Sequence, residues 1–304
     1  MSNRLARPVH WTDNPAMKVY RDYDQAELDR QYDQTTLVAD PSVYHARKRR
    51  ESERVRAAFD CRLGVPYGPS PDEWLDIFPA AEPGAPVLVL VHGGAWKGGS
   101  ARDNQFPAEA LVPRGAAFVA VNFSLVPAAT LAEQVRQNRA AVAWVHQHAR
   151  EFGADPERIH LAGVSSGGHV GGMLAVTDWQ RDWGLPADTL KGAVLVSGMY
   201  DLEPVRLTWR NRYLDLTPET AAALSPINAI RPGGIPLVLA YGEDELDEFK
   251  RPTGEMADAW RAAGNPCELL VLAGTDHYAG NFALSDPDGP LLAAVFRQLE
   301  LQAG

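Results

Sequence analysis

The sequence predicts an α/β fold in which one mostly parallel sheet of eight strands is covered by helices on both faces. Three observations lead to this prediction. Short aliphatic runs without polar alternation recur along the chain, as expected of strands that are buried on both sides. Helical stretches separate these runs, which is typical of parallel strands joined by crossover connections. Glycine and proline interrupt the pattern between the runs.

The eight strands fall into two groups. A first pair, at 63–67 and 74–78, is joined by the turn Gly-Pro-Ser-Pro-Asp at 68–72 and predicts an antiparallel edge. Six aliphatic runs predict the parallel part of the sheet: 87–91, 117–121, 159–161, 193–196, 236–240 and 268–272. Helices are predicted between and after these runs, at 131–152, 168–176, 253–263 and 290–301.

The first sixty residues differ from the rest. They are rich in charge and tyrosine, with helical patches at 25–32 and 41–59. We interpret residues 1–60 as a helical lead-in or cap and residues 61–304 as one α/β catalytic domain. The basic run at 45–50 is followed at once by Glu51 and Glu53, which favours an ion-paired, solvated helix face over a binding patch.

The composition narrows the functional classes. With 304 residues, 45% hydrophobic and 22% charged, the chain can bury a large core. A net charge of −10 argues against nucleic acid or an anionic membrane as the main partner, but leaves the local potential of a cleft open. Cys61 and Cys267 are read as small core residues. Residues 1–14 carry no apolar leader and no window has the length of a membrane span, so we expect a cytoplasmic protein.

The strongest local motif is Gly-Val-Ser-Ser-Gly at 163–167. It follows a predicted strand and opens a predicted helix, which is the context that a nucleophile elbow requires. The glycines allow a sharp turn, and the helix N-terminus favours negative charge that develops near Ser165. A glycine-rich turn without chemistry is the alternative for this motif taken alone. We expect Ser165 to be the nucleophile.

A second motif begins at His92, directly after the strand predicted at 87–91, and reads His-Gly-Gly-Ala-Trp. In hydrolases with a nucleophile elbow, such a loop supplies N–H groups to an oxyanion hole. We expect these donors to come from Gly93 or Gly94 and from Ser166. His92 itself should shape the loop, while Trp96 is either a core residue or part of the pocket wall.

The general base is expected late in the chain, because this kind of hydrolase orders its triad serine, acid, histidine. Of the eight histidines, only His277 follows the last aliphatic run. It lies in the loop 273–278, after the final predicted strand. We therefore expect His277 to be the base, with Tyr278 beside it in the pocket wall.

The acid is expected in the segment 243–248, which follows the strand predicted at 236–240 and carries five carboxylates. One of them should accept a hydrogen bond from Nδ1 of the catalytic histidine and hold its tautomer. Related esterases place the acid three residues after the glycine that ends the strand, which selects Glu245. Asp244 is the second candidate, and Asp201, after the preceding strand, is the third.

Taken together, these motifs resemble the kynurenine formamidase (arylformamidase) branch of the α/β-hydrolases, and the resemblance covers most of the chain. HGG-x-W at 92–96, G-x-S-x-G-G-H at 163–169 and the acid-x-x-Glu-Phe pattern at 245–249 carry it. Leu28-Asp29 with Tyr32-Asp33 is similar to that branch's N-terminal lead-in. The resemblance implies an α/β-hydrolase fold, again selects Glu245 as the acid, and implies that the lead-in covers the active site, where Tyr23 or Tyr32 would border the pocket.

The sequence departs from this branch at Ala95, where a larger aromatic residue is common, at Glu245, where animal members carry Asp, and at 251–253. The resemblance therefore implies the chemistry of the branch rather than one substrate.

We expect a serine hydrolase that cleaves a small ester, aryl formamide or other amide through an acyl-enzyme, with no cofactor and no metal. A hormone-sensitive-lipase-like carboxylesterase or a carbamate hydrolase is the alternative among enzymes. A hydrolase-fold protein that binds without turnover is the alternative from another class. The expected partner is the small-molecule substrate, and a homodimer is possible.

Overall fold

The computed structural model of the chain describes residues 17–302, so the prediction made for residues 1–14 lies outside the described residues. One eight-stranded sheet forms the centre of the molecule. Its strands are β1 Arg62–Pro66, β2 Trp74–Phe78, β3 Ala85–Val91, β4 Ala117–Val121, β5 Ala154–Val164, β6 Gly192–Val196, β7 Leu237–Gly242 and β8 Cys267–Leu272. All eight predicted strands are present.

The strand order across the sheet is β1-β2-β4-β3-β5-β6-β7-β8. β2 pairs antiparallel with β1 and with β4, and the other neighbours pair parallel. The prediction of a mostly parallel sheet with an antiparallel edge is confirmed. Because β5 lies near the middle of the sheet, the loop after it opens at the carboxyl edge between β3 and β6, where sites of α/β proteins form.

Helices connect the strands and cover the sheet. They are α1 Gln25–Gln31, α2 Ser42–Ala58, α3 Ala108–Leu111, α4 Leu131–His148, α5 Ser166–Ala175, α6 Trp179–Trp183, α7 Glu203–Arg206, α8 Asn211–Leu214, α9 Pro218–Ala223, α10 Asp247–Ala262 and α11 Pro290–Gln298. Among residues 17–302, no helix combines the length and the apolarity needed to cross a membrane.

Both faces of the sheet are buried, as the uninterrupted aliphatic runs predict. Alternate residues of β3 point to opposite sides: Val87, Val89 and Val91 join one apolar core, and Leu88 and Leu90 join the other. The helices α4, α5 and α10 pack on the first face, and α3 and α11 pack on the second. The expected arrangement of helices on both faces is confirmed.

The N-terminal segment packs onto both sides of the sheet. Leu28 and Tyr32 of the α1 region are buried in one core, and Val55 of α2 is buried in the other. Asp29 accepts a hydrogen bond from the backbone N–H of Trp209 at 2.8 Å, which ties α1 to the connection after β6. The division of the chain at residue 60 stays a prediction, since this segment shares its cores with the rest of the molecule.

The structure differs from the sequence prediction mainly in the helices. α10 begins at Asp247, six residues earlier than predicted, because Pro252 lies inside the helix and not at its start. The helix predicted at 131–152 ends its α-helical part at His148 and continues as a 3-10 turn. The short helices α7, α8 and α9 between β6 and β7 were not predicted. Both cysteines are half-buried at the edges of the cores and are free.

Candidate active site

Ser165 occupies the sharp turn between β5, which ends at Val164, and α5. Its backbone has φ +57° and ψ −123°, which are rare values for a residue with a side chain. The flanking glycines make this turn possible: a Cβ on Gly163 would lie 2.3 Å from the carbonyl oxygen of Gly167, and a Cβ on Gly167 would lie 2.1 Å from that of Val91. The geometry is that of a nucleophile elbow, which presents the serine hydroxyl at the edge of the sheet.

The structure brings Ser165, His277 and Glu245 into one hydrogen-bonded chain. Nε2 of His277 lies 2.9 Å from the hydroxyl oxygen of Ser165, and Nδ1 lies 3.1 Å from Oε1 of Glu245. The imidazole is largely shielded from solvent and the Glu245 carboxylate is fully buried. The loops after β5, β7 and β8 thus place three residues, distant in sequence, within proton-transfer distance of one another.

The two other candidate acids do not contact His277. The backbone N–H of Asp244 donates to the carbonyl of Thr275, which holds the turn, while the side chain of Asp244 is exposed. Oδ1 of Asp201 accepts from the backbone N–H of Glu203 at 3.0 Å. Of the three carboxylates considered from the sequence, only Glu245 is within reach of the imidazole in residues 17–302.

Ser197 belongs to the same cluster and was not predicted. Its hydroxyl donates to Oε1 of Glu245 at 2.6 Å, and its backbone φ is +53°. Oε2 of Glu245 is buried and has no hydrogen-bond partner within residues 17–302. The available signal was the position of this serine directly after the strand predicted at 193–196, next to the strand that carries the nucleophile.

Three backbone N–H groups beside the serine have no hydrogen-bond acceptor within the described residues: those of Gly93, Gly94 and Ser166. Gly93 lies against the nucleophile, since a Cβ built on it would be 3.1 Å from Cβ of Ser165 and 2.6 Å from the carbonyl oxygen of Val164. Such close approach of two backbones is possible only for glycine. The arrangement leaves donors free for a substrate oxygen.

His92 braces the loop that carries these glycines. Its Nδ1 donates to the carbonyl oxygen of Gly93 at 2.9 Å, and its ring stacks on Phe123 with the centroids 4.5 Å apart. Burial lowers the pKa of His92 to about 4, so the imidazole is neutral at physiological pH. The imidazole of His92 contacts Gly93 and Phe123 and not the hydroxyl of Ser165.

Of the two alternatives considered for Trp96, the structure shows the core residue, and the expectation that it lines the pocket is wrong. Its indole is buried, and Nε1 donates to Nδ1 of His169 at 3.1 Å. His169 in turn donates from Nε2 to the carbonyl oxygen of Leu224 at 2.7 Å. The only polar atom of the indole finds its hydrogen-bond acceptor inside the core, so the ring stays away from solvent. Trp96 therefore stabilises the loop of Gly93 and Gly94 from the core side.

A cavity of about 620 Å³ opens in front of Ser165 and His277. Gly93, Gly94 and Tyr278 line it, as expected. The N-terminal segment contributes a large part of the wall: Tyr32, Asp33, Gln34, Thr35, Tyr44, His45, Lys48 and Arg49. Tyr23, the other tyrosine considered for this wall, lies outside it.

The basic run on α2 is only in part a solvated face. Arg47 is ion-paired with Glu51 at 2.7 Å, as expected for that interpretation. Lys48, by contrast, faces the cavity, where its ammonium lies 3.5 Å from the side-chain oxygens of Asn104 and Asn281. The run has two faces because successive residues of a helix point in different directions.

Comparison with known proteins agrees with this architecture. The family model BD-FAE matches residues 75–199. Kynurenine formamidase of Danio rerio is 31% identical over 236 residues, covering 75% of this chain and 78% of that protein. Kynurenine formamidase of Salmo salar is 29% identical over 298 residues, covering 93% and 99%. The esterase LipQ of Mycobacterium tuberculosis is 32% identical, covering 72% of this chain and 57% of that protein.

Solved structures show the same fold. A putative thioesterase from Silicibacter sp. superposes with a TM-score of 0.77 at 22% identity, covering 88% of this chain and 98% of that one. The thermophilic carboxylesterase EstE1, cloned from a metagenomic library, superposes with a TM-score of 0.67 at 23% identity, covering 87% and 98%. The prediction of an α/β-hydrolase enzyme is confirmed, and the chain belongs to the kynurenine formamidase family of α/β-hydrolases.

Proposed function

We propose that the protein hydrolyses a small ester, aryl formamide or other amide through an acyl-enzyme on Ser165, with His277 as general base and Glu245 as its acid partner. The observation that carries this proposal is the unbroken chain of contacts from the Ser165 hydroxyl through His277 to the buried Glu245. In this arrangement each group has the neighbour that its role requires.

The acylation step uses Nε2 of His277 to take the proton of the Ser165 hydroxyl while the serine oxygen attacks the substrate carbonyl. Glu245 accepts the Nδ1 hydrogen, which keeps Nε2 free as a base and stabilises the imidazolium that forms. The carbonyl oxygen becomes an oxyanion. His277 then gives its proton to the leaving nitrogen or oxygen as the bond to the carbonyl carbon breaks.

Deacylation repeats these steps with water. His277 takes a proton from the water, whose oxygen attacks the acyl carbon, and returns that proton to Ser165 as the acid product leaves. In both steps the free N–H groups of Gly93, Gly94 and Ser166 would receive the oxyanion. Loss of one such donor in a serine hydrolase typically costs about 3 kcal/mol of transition-state stabilisation.

The relatives favour an aryl formamide or a small aryl ester as substrate. Two of them are kynurenine formamidases. The cavity of about 620 Å³ has the size of a small-molecule site, and its wall includes the aromatic residues Trp209 and Tyr278. Carboxylesterase activity is the second candidate, because the relatives also include the mycobacterial carboxylesterase NlhH at 30% identity over 253 residues.

A fluorophosphonate probe tests the proposed nucleophile. We expect labelling of Ser165 in the folded wild-type protein and none in Ser165→Ala. His277→Ala should label slowly, because the hydroxyl then lacks its base. Failure of the wild type to label while it is folded would favour a hydrolase-fold protein that binds without turnover and would overturn the proposal.

A turnover screen separates the candidate activities. N-Formylkynurenine and formanilide represent aryl formamides, short p-nitrophenyl esters represent carboxylesterase substrates, and aryl carbamates represent the third group. The formamides should have the highest kcat/KM if the activity of the kynurenine formamidase relatives extends to this chain. A cytoplasmic location and a homodimer stay predictions alongside this proposal.

A further inference from the structure

The two halves of the expected oxyanion hole come from different parts of the chain. One half is the glycine loop, residues 92–97 after β3, and the other is the backbone N–H of Ser166 at the start of α5. An oxyanion must meet donors from both halves at once, so their relative position decides how well it is stabilised. Within residues 17–302, one hydrogen bond joins the glycine loop to α5: Nε1 of Trp96 donates to Nδ1 of His169 at 3.1 Å.

The glycine loop needs this support because its backbone is strained. Ala95 and Trp96 have φ of +51° and +62°, values that are unfavourable for residues with a Cβ. They follow Gly94, whose φ is +138°, so three consecutive residues lie at positive φ. A strained backbone of this kind persists only where the surrounding structure fixes it. The contacts of Trp96 with its neighbours therefore keep the N–H groups of the loop in place.

Trp96 is held both at its backbone and at its side chain. Its carbonyl oxygen accepts from Nε2 of Gln134 at 2.7 Å and from the backbone N–H of Val126 at 3.1 Å. Its indole meets the imidazole of His169 edge-on, with the ring centroids 5.4 Å apart and the planes at 81°. Gln134 belongs to α4 and Val126 to the connection before it, whereas His169 belongs to the helix that carries the other half of the hole. The bond to His169 thus sets the loop relative to the nucleophile helix.

His169 can accept this bond because its proton is held on the other ring nitrogen. Nε2 donates to the carbonyl oxygen of Leu224 at 2.7 Å, which leaves Nδ1 without a proton and able to accept. The imidazole is fully buried, and this burial lowers the pKa of His169 to about 4. The ring is therefore neutral at physiological pH, and its acceptor is present throughout that range.

We propose that His169 and Trp96 are positioning residues for the oxyanion hole: their hydrogen bond holds the glycine loop against the first turn of α5, so that donors from both segments meet one substrate oxygen. This inference rests on the proposed function, because it assigns the support of the same site. The backbone N–H of His169 donates to the carbonyl oxygen of Ser165 at 3.1 Å, which ties the imidazole to the nucleophile turn. Neither Trp96 nor His169 lines the cavity, so both act through the backbone that they hold.

His169→Asn and His169→Gln are a matched pair that tests the acceptor. Both replace the imidazole by a neutral amide, but the oxygen of asparagine can take the place of Nδ1, whereas the longer glutamine places its amide near Nε2. We expect kcat to fall about tenfold or more in His169→Gln and to stay within about threefold of wild type in His169→Asn. KM should change little in both, because the oxyanion forms only in the transition state. Equal kcat in the two folded variants would overturn the proposal.

Trp96→Phe tests the donor, since it removes the N–H and keeps an aromatic ring. It should lower kcat about as much as His169→Gln, and the double variant should lower it little further, because both changes remove the same bond. Losses that multiply in the double variant would contradict the proposal.

His160→Asn is the matched control for these variants. His160 is another buried imidazole, and its Nδ1 has no hydrogen-bond partner within residues 17–302, so kcat should equal that of the wild type. Circular dichroism and thermal melting identify variants that fail to fold. If the His169 variants do not fold, Trp96→Phe decides alone: wild-type kcat in this variant would overturn the proposal.

Amide hydrogen exchange separates this inference from the hydrolase function, because it needs no turnover. The backbone N–H groups of Lys97 and Gly98 both donate to the carbonyl oxygen of Gly94, at 3.1 and 2.9 Å, and report on the shape of the glycine loop. They should exchange faster in Trp96→Phe than in the wild type or in His160→Asn. Faster exchange supports the attachment of the loop even if the wild type hydrolyses nothing, a result that would contradict the hydrolase function alone. Unchanged exchange overturns the inference.

Discussion

The hydroxyl of Ser197 donates, at 2.6 Å, to the carboxylate oxygen of Glu245 that also faces the imidazole of His277. Nδ1 of His277 reaches the same oxygen at 3.1 Å. One oxygen of the acid thus accepts two hydrogen bonds, and the orientation of the carboxylate is set by a neighbour on the strand next to the nucleophile. Ser197 is therefore a positioning residue for the proposed triad.

Replacement of Ser197 by alanine should lower kcat about tenfold with little change in KM, because a hydrogen bond to a charged group is lost behind the imidazole. Ser197→Gly removes the same hydroxyl but suits the backbone φ of +53°. Equal losses in the two variants would assign the effect to the hydroxyl, whereas full activity in Ser197→Gly would assign it to backbone strain. Steady-state kinetics on one ester suffices.

The identity of the acid is tested by two conservative changes. Glu245→Gln keeps the shape of the side chain but removes the negative charge that stabilises the imidazolium, and the new amide N–H can donate to Nδ1 of His277 and hold the wrong tautomer. We therefore expect kcat to fall by about 10⁴. Asp244→Asn should stay within a few-fold of wild type, since the Asp244 side chain is exposed and only its backbone holds the turn. A larger loss in Asp244→Asn would overturn the assignment of the acid.

That Ser165, Glu245 and His277 would lie close together was predictable, because each follows an apolar strand at the carboxyl edge of the sheet and because hydrolases of this kind order their triads serine, acid, histidine. The strands themselves were predictable because burial on both faces leaves uninterrupted aliphatic runs. Such signals are local in sequence. Because the parallel strands end at the same edge of the sheet, residues that directly follow different strands come close together.

The rest depends on contacts between distant segments, which leave no local pattern. Lys48 faces the cavity because of the way α2 packs on the rest of the protein. From its sequence alone, the basic run that contains Lys48 is equally compatible with a solvated helix face. The burial of Arg210 beside the rings of Trp209 and Phe249 depends on the unpredicted helices α7 and α8 after β6. Trp96 turned away from the pocket because His169 offers its indole an acceptor inside the core.

Substitution of Gly93 by alanine should reduce kcat by about 100-fold or more, since the new methyl group would displace the loop that offers an N–H to the oxyanion. The added Cβ would lie 2.6 Å from the carbonyl oxygen of Val164, a distance that backbone atoms must relieve by moving. Kinetics on a p-nitrophenyl ester measure the loss of kcat, and a melting curve measures the effect of the displaced backbone on stability. A folded Gly93→Ala variant with wild-type kcat would exclude this loop from the oxyanion hole.

Gly254→Ala is the matched glycine replacement and should raise stability. Gly254 lies inside α10, and a Cβ there would meet no atom within 4 Å. Alanine has the higher helix propensity and restricts the unfolded chain, so we expect the free energy of unfolding to rise by about 0.5–1 kcal/mol with kcat unchanged. Urea denaturation measures the shift. A decrease in stability would mean that α10 does not accommodate a side chain at this position.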